Sequence, residues 1–255
     1  MSRIFTGAAA IAAVVLATST AAAGASGTFV QPVHVLHTFH GPTTGQGAYF
    51  GWAVSELRDV NGDGVTDAVI GEVDGGAKMQ GRVWVYSGRT GHLLFRRSGR
   101  PGEQDGYAIA DAGDVNGDGV TDVISGAPGQ GSDIGHAYVY SGATGRTIVR
   151  LRGHHHGDMF GAAVSSAGDV NGDGVPDLVV GSYTSSDGAP AAGKVQVFSG
   201  ATGERLRTIT STTPNENLGF DAVGIGDTNA NGTPDLLVSA ANRDTVYVID
   251  GSPLG

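Results

Sequence analysis

Apolar residues in this chain fall into short runs of two kinds. Val83-Trp84-Val85-Tyr86, Tyr138-Val139-Tyr140, Val195-Gln196-Val197-Phe198 and Val246-Tyr247-Val248-Ile249 place side chains on alternate faces, and each is followed by a polar residue and a glycine. Ala68-Val69-Ile70, Val123-Ile124, Leu178-Val179-Val180 and Leu236-Leu237-Val238 are continuously apolar. Period-two alternation and short apolar runs bounded by glycine both predict strands. Ahead of each continuous run a small-residue segment starts at a glycine (Gly51, Gly106, Gly161, Gly219), as in Gly161 to Gly168. After the first three alternating runs, Arg-Thr-Gly or Ala-Thr-Gly at 89–91, 143–145 and 201–203 turns the chain into a fourth run, such as Arg146 to Leu151 or Glu204 to Ile209. Four short antiparallel strands per unit are the content of a propeller blade.

Between the first and second strand of each unit lies a nine-residue stretch, Asp59-Val60-Asn61-Gly62-Asp63-Gly64-Val65-Thr66-Asp67, which returns as Asp114 to Asp122, as Asp169 to Asp177 and, altered, as Asp227 to Asp235. The starts are spaced by 55, 55 and 58 residues, and a fixed period of this size marks a stacked or ring architecture. Side-chain oxygens at positions 1, 3, 5 and 9, a backbone carbonyl at 7 and a glycine at 6 are what a hard cation such as Ca2+ requires of a loop. The candidate ligands are Asp59, Asn61, Asp63, the Val65 carbonyl and Asp67; Asp114, Asn116, Asp118, Val120 and Asp122; Asp169, Asn171, Asp173, Val175 and Asp177; and Asp227, Asn229, Asn231, Thr233 and Asp235.

Tight turns are the competing reading, because Asn-Gly and Asp-Gly form them without any metal. Three of the loops, however, crowd several carboxylates together, and those repel one another without a cation. The expectation is three Ca2+ sites and a weak or empty fourth, where Asn231 replaces the carboxylate at position 5. Asn231-Gly232-Thr233 also spells a glycosylation acceptor, read as turn chemistry. Position 12, which carries a bidentate Glu in helix-loop-helix calcium sites, is Ile70, Ser125, Val180 and Val238. These loops join strands, and Pro176 and Pro234 suit a strand's first residue.

Composition narrows the picture. The 255 residues are 40% hydrophobic and only 16% charged, with 44 glycines, which suits many short strands and turns rather than helices. Residues 1–25 read as a secretory signal: Arg3, an apolar run from Ile4 to Leu16, then cleavage after Ala23 or Ala25. That run is short and alanine-rich for a membrane span, so the mature chain is expected outside the cytoplasm, extracellular or periplasmic. The formal charge of −10 argues against nucleic acid and anionic membranes as partners. With no cysteine there are no disulfides and no thiol chemistry, leaving core packing and bound metal to stabilise the chain.

Phe50-Gly51, Phe160-Gly161 and Gly126-Ala127-Pro128, with the Asp-x-Asn-x-Asp-Gly-x-x-Asp loop between such pairs, resemble the FG-GAP repeats of the integrin α-chain β-propeller and of secreted bacterial repeat proteins. The resemblance covers residues 33–251, in repeats at about 48–99, 103–153, 158–210 and 216–251. It implies an all-β propeller that binds calcium and serves as a binding or adhesion module. Departures stand at Asp105 and Leu218 in place of Phe, and at Gly71-Glu72-Val73, Gly181-Ser182-Tyr183 and Ser239-Ala240-Ala241 in place of Gly-Ala-Pro. Family propellers look seven-bladed, whereas this chain supplies four units; a closed four-bladed ring is the expectation, an open arc completed by a second chain the alternative.

Enzyme signals are thin. There is no G-x-S-x-G, no P-loop, no G-x-G-x-x-G and no H-E-x-x-H. His154-His155-His156 with Asp158 could hold a metal or support a secreted hydrolase of glycans or phosphoesters, but neighbours in a loop point apart, and a solvated loop is the better reading. Trp52 and Trp84 are expected in the blade core. In a blade meander the calcium loops share one face with the turns between strands three and four. The other face collects the segments 72–80, 129–135 and 182–193 with His40, Tyr49, His154–His156 and Asn215–Asn217, where a protein or carbohydrate ligand would bind. The fourth repeat stops after its third strand. Residues 33–41, Val33-His34-Val35-Leu36-His37-Thr38-Phe39-His40-Gly41, resemble a displaced fourth strand that would complete the last blade and leave a monomer.

Overall fold

A computed structural model describes residues 33–42, 47–129 and 133–252; the expected signal at 1–25 lies outside the described residues. Among these residues, fifteen strands form four antiparallel sheets in sequence order. The first holds β1 (Phe50–Leu57), β2 (Asp67–Glu72), β3 (Arg82–Tyr86) and β4 (Leu93–Ser98). The second holds β5 (Ala108–Gly113), β6 (Asp122–Ala127), β7 (His136–Tyr140) and β8 (Thr147–Arg152). The third holds β9 (Ala163–Gly168), β10 (Asp177–Ser182), β11 (Lys194–Phe198) and β12 (Arg205–Thr210). The fourth has only β13 (Leu218–Gly226), β14 (Asp235–Ala240) and β15 (Thr245–Ile249). This is the all-β propeller meander the spacing predicts.

Alternation decides how the sheets stack. The back of sheet one (Val69, Val83, Val85) meets the front of sheet two (Val123, Ala127, Tyr138, Tyr140). Ile124, Ala137 and Val139 on the back of sheet two meet Val164, Leu178, Val180 and Phe198 of sheet three. Val179, Val195 and Val197 in turn meet Ala222, Leu236, Val238 and Ala240 of sheet four. Each joint buries apolar surface at roughly 25 cal/mol per Å2.

The glycines of the repeat sit at these joints. A Cβ on Gly71, Gly126 or Gly181 would lie 2.1, 1.9 or 2.2 Å from the carbonyl oxygen of Gly106, Gly161 or Gly219 in the next sheet. Glycine at both places lets neighbouring inner strands approach backbone to backbone. In sheet four the corresponding residue is Ser239, whose hydroxyl bonds to Asp221 instead.

Among the described residues the expected closing strand is not formed. Residues 33–42 lie in no strand, and sheet four keeps three strands. Phe39 sets its ring on Tyr86 at 4.5 Å and joins Phe50 over Ile70, Trp84 and Tyr86 on the front of sheet one. The apolar ring found an aromatic face rather than a strand edge, and the expectation of a monomer closed by this segment loses its basis. Val246 and Val248, on the back of sheet four, are 60% and 59% exposed, whereas their counterparts Val83, Val85, Ala137, Val139 and Val195 are at 0%.

Candidate metal centre

Each nine-residue loop is organised by its first aspartate. Asp59 Oδ1 accepts from the amides of Gly62 at 2.7 Å, Asp63 at 3.1 Å and Asn61 at 3.2 Å, and Oδ2 from Gly64 at 2.6 Å. Asp114 and Asp169 repeat this with Gly117, Asp118 and Gly119 and with Gly172, Asp173 and Gly174. A ladder of side-chain-to-backbone bonds continues it: Asn61 to the Asp63 amide at 3.0 Å, Asp63 to the Val65 amide at 2.9 Å. The loop curls around its oxygens, and these amides hold the Asp59 carboxyl below the usual carboxylate range, the Gly64 amide most of all.

The curl requires positive φ at position 4 as well as position 6. Gly62, Gly117 and Gly172 supply it at +76°, +74° and +77°, but Ala230 must adopt +60° in the fourth loop. Left-handed backbone costs a non-glycine residue about 1–2 kcal/mol, so the fourth loop is strained as well as short of a carboxylate.

The ninth aspartate is buried and works as a bolt. Asp67 accepts from the Val60 amide at 2.9 Å and the Gly88 amide at 3.0 Å. Asp122 takes Val115 and Gly142, Asp177 takes Val170 and Gly200, and Asp235 takes Thr228 and Gly251. Each bolt ties the loop to the turn after the third strand, placing both on one side of the sheet. Burial pushes Asp122 up to about 6 despite its three amide donors, and burial also raises Asp177. Asp235 goes the other way, held down by the Thr228 hydroxyl.

The loops are not equivalent. Arg89 lies 3.5 Å from Asp63 Oδ1 and donates to the Asp63 carbonyl at 2.6 Å, whereas loops two and three have Ala143 and Ala201 at that place. In the fourth, the Asn231 side-chain Nδ2 donates to Asp250 Oδ1 at 3.0 Å, and Asp250 stands where the other repeats have Ser87, Ser141 and Ser199. An all-oxygen donor set with half-buried carboxylates at position 1 of the first three loops and exposed ones at Asp118 and Asp173 fits a hard divalent cation.

On the opposite side, the segments after strands two and four meet through Gly102 to Lys78, Gly129 to Glu103 and Asn215 to Pro190 bonds. A buried acid recurs there three residues before the repeat glycine. Glu103 accepts from the Tyr138 hydroxyl at 2.8 Å and pairs with His136 at 3.4 Å and Arg150 at 3.6 Å. Asp158 and Asp187 each take the Lys194 ammonium at 2.7 Å, and Glu216 takes the Ser211 and Tyr247 hydroxyls. Of the three adjacent histidines, His155 joins Asp158 and Asp187, but Lys194 already provides the cation, so the group is a salt-bridge cluster. His154 faces Arg205 instead.

Trp84 is buried as expected, with Arg96 over its ring at 4.9 Å. Trp52 is not core: it is 52% exposed, between Tyr49 at 6.0 Å and Tyr107 at 5.6 Å, while Tyr183 and Phe220 form a second aromatic pair at 5.2 Å. The alternation that places Trp52 on a strand does not say which strand face stays open.

A four-sheet propeller meander with one oxygen-rich loop per sheet defines a β-propeller repeat protein. Family models match it directly: an FG-GAP-like repeat over residues 59–125 and an FG-GAP repeat over 160–198. Integrin alpha-PS2 of Drosophila melanogaster is 31% identical over 86% of this chain and 17% of its own length. Integrin alpha-V of Gallus gallus is 31% identical over 81% and 21%, and integrin alpha-4 of Xenopus laevis 36% over 54% and 15%. The chain thus spans about a fifth or less of these relatives. The crystal structure of Saccharomyces cerevisiae Sqt1 shares the fold alone, with a TM-score of 0.50 at 13% identity over 79% of this chain and 46% of that one. The chain belongs to the FG-GAP repeat, integrin α-like family and has its β-propeller type of fold. No helix among the described residues is long and apolar enough to cross a membrane.

Proposed function

We propose that the chain is a secreted, calcium-stabilised propeller that binds a protein or carbohydrate ligand on the face away from its calcium loops. The observation that carries the metal reading is the wrapped, all-oxygen loop around Asp59, Asp114 and Asp169. Asp59, Asn61, Asp63 and the Val65 carbonyl, with their counterparts in the next two repeats, would hold Ca2+, which supplies charge neutralisation and folding free energy. Asp67, Asp122 and Asp177 complete each site from below through the amides they clamp. The ligand reading draws on the exposed rings of Tyr49 and Trp52 with half-buried Tyr107 against them, beside loops that differ between repeats, the composition common in recognition surfaces.

Calorimetry of the chain freed of residues 1–25 should show about three equivalents of Ca2+, one fewer after Asp118→Ala, and a melting temperature that falls on chelation. A chain that takes up no Ca2+ overturns the metal reading. For the ligand, glycan arrays and pull-downs from the native surroundings should give capture that Trp52→Ala weakens without lowering the melting temperature; capture insensitive to that change moves the site elsewhere.

A further inference from the structure

Two of the four sheets show what a fourth strand does beside an aromatic third strand. In sheet two, Tyr138 is paired in register with Arg150 of β8, the guanidinium lies over the ring at 5.8 Å, and both reach the buried Glu103. In sheet one, Trp84 pairs in register with Arg96 of β4, which covers its ring. Its indole N–H donates to buried Glu72, which Arg82 neutralises.

Sheet four has the same half of this arrangement. Tyr247 stands at the place of Tyr138, Glu216 at the place of Glu103, and the Tyr247 hydroxyl donates to Glu216 Oε1 at 2.8 Å, the distance seen between Tyr138 and Glu103. What differs is the partner strand. Glu216 is buried yet, among the described residues, its oxygens accept only hydroxyls, whereas Glu72, Glu103 and Asp158 each have a basic side chain. Tyr247 is 39% exposed, against 7% for Tyr138 and Trp84. A groove of about 550 Å3 lies there, lined by Arg207, Ile209, Glu216, Tyr247 and Ile249 among others, between the last strand of sheet three and the edge strand β15.

We propose that this groove is a docking site for an extended segment of a partner protein, added to β15 as an antiparallel fourth strand, with an arginine opposite Tyr247 and apolar residues on either side of it. Main-chain bonds to the free edge supply affinity and the arginine supplies selection, as in other strand-addition complexes. Guanidinium over Tyr247 would gain both ring and carboxylate contacts. The chain's own residues 33–41 contain no arginine or lysine, which favours a partner's strand over this segment.

The probe is a fluorescent peptide with the sequence of residues 146–153, the strand that fills the equivalent slot in sheet two, titrated into the chain lacking residues 1–25. Binding should slow hydrogen exchange at Thr245–Ile249, and the peptide with Arg150 replaced by Glu should bind at least about tenfold more weakly, as should the parent peptide to Glu216→Gln. No binding, equal binding of the two peptides, or protection elsewhere overturns the proposal. A peptide of residues 33–41 that binds more tightly than the arginine peptide also overturns it, in favour of closure by the chain's own segment. If Glu216→Gln does not fold, the peptide comparison alone decides.

Discussion

The hydroxyl of Tyr140 donates to Asp105 at 2.8 Å, at the place where repeat three packs Phe160 edge-on against Phe198 with ring centres 5.9 Å apart. One joint is apolar and its neighbour is a buried hydrogen-bonded pair of the same reach. Ser125 gives Asp105 a second hydroxyl at 2.6 Å. The departure from Phe at position 105 is therefore compensated across the strand, with tyrosine supplying the length that phenylalanine supplies elsewhere.

That compensation has a pH signature. Burial raises the Asp105 carboxyl to about 6, although Ser125 and Tyr140 pull it down. A carboxyl whose folded value lies above its unfolded one holds its proton more tightly when folded, so stability falls as the pH rises from about 4 to about 6. The loss from this group is on the order of 3 kcal/mol. Asp105→Asn should therefore gain on the wild type across that window and stay level above it. Urea unfolding of both chains between pH 4 and 8 checks this; parallel pH curves would show that Asp105 ionises normally.

Lys194 is the second buried ionic commitment, its ammonium shared by Asp158 and Asp187 at 2.7 Å each. Removing one partner of a buried pair leaves an uncompensated charge and costs about 3–5 kcal/mol, whereas replacing the whole set with apolar residues is close to neutral. Lys194→Met alone is expected to lower stability by that amount, and Lys194→Met with Asp158→Leu to recover much of it. A single variant as stable as the wild type would mean that water, not lysine, solvates these carboxylates.

Much of the fold was legible because its signals are local. Period-two alternation at Val83–Tyr86 and Val246–Ile249 and the Asp-Asn-Asp-Gly spacing need no tertiary information, and the strands and loops stand where they point. What failed depended on partners far along the chain. Val33 to Phe39 has the pattern of a strand, but which edge it joins is settled by where Phe39 finds apolar contact, and that is Tyr86 in the first repeat. Trp52 looks like core until the open front of sheet one leaves it in solvent. Nothing in the pattern marks Arg89 as a neighbour of Asp63, although its departure from the Ala-Thr-Gly of the next two repeats was visible. The glycine at position 4 of the first three loops and the acid three residues before Gly106, Gly161 and Gly219 recur in the sequence and could have been read as a backbone requirement and a buried anchor.

Arg89 ranks the proposed calcium loops. Its guanidinium stands beside the position-5 carboxylate of the first loop alone and repels an arriving cation through a largely exposed contact, where single charges have modest effects. Arg89→Ala should tighten Ca2+ binding at one site about two- to threefold at low salt and leave the other sites unchanged. Calorimetric titration at two ionic strengths measures it. Unchanged or weakened affinity would show that Arg89 supports the loop through its bond to the Asp63 carbonyl rather than opposing the metal.

Phe39 separates two accounts of the N-terminal segment. If residues 33–41 closed the last blade as a strand, removing residues 33–37 would strip main-chain bonds and be severe. In the structure those residues are in no strand and are largely exposed, whereas Phe39, half-buried, sets its ring on Tyr86 and covers the front of sheet one. Starting the chain at residue 38 should therefore shift the melting temperature little. Phe39→Ala should cost about 1–2 kcal/mol, the share of a phenylalanine's burial that a half-covered ring contributes, and should raise exposure of Trp84 and Tyr86. Thermal melts of the two variants, with tryptophan fluorescence on the second, distinguish the accounts. A truncation more damaging than Phe39→Ala would return residues 33–37 to a sheet edge.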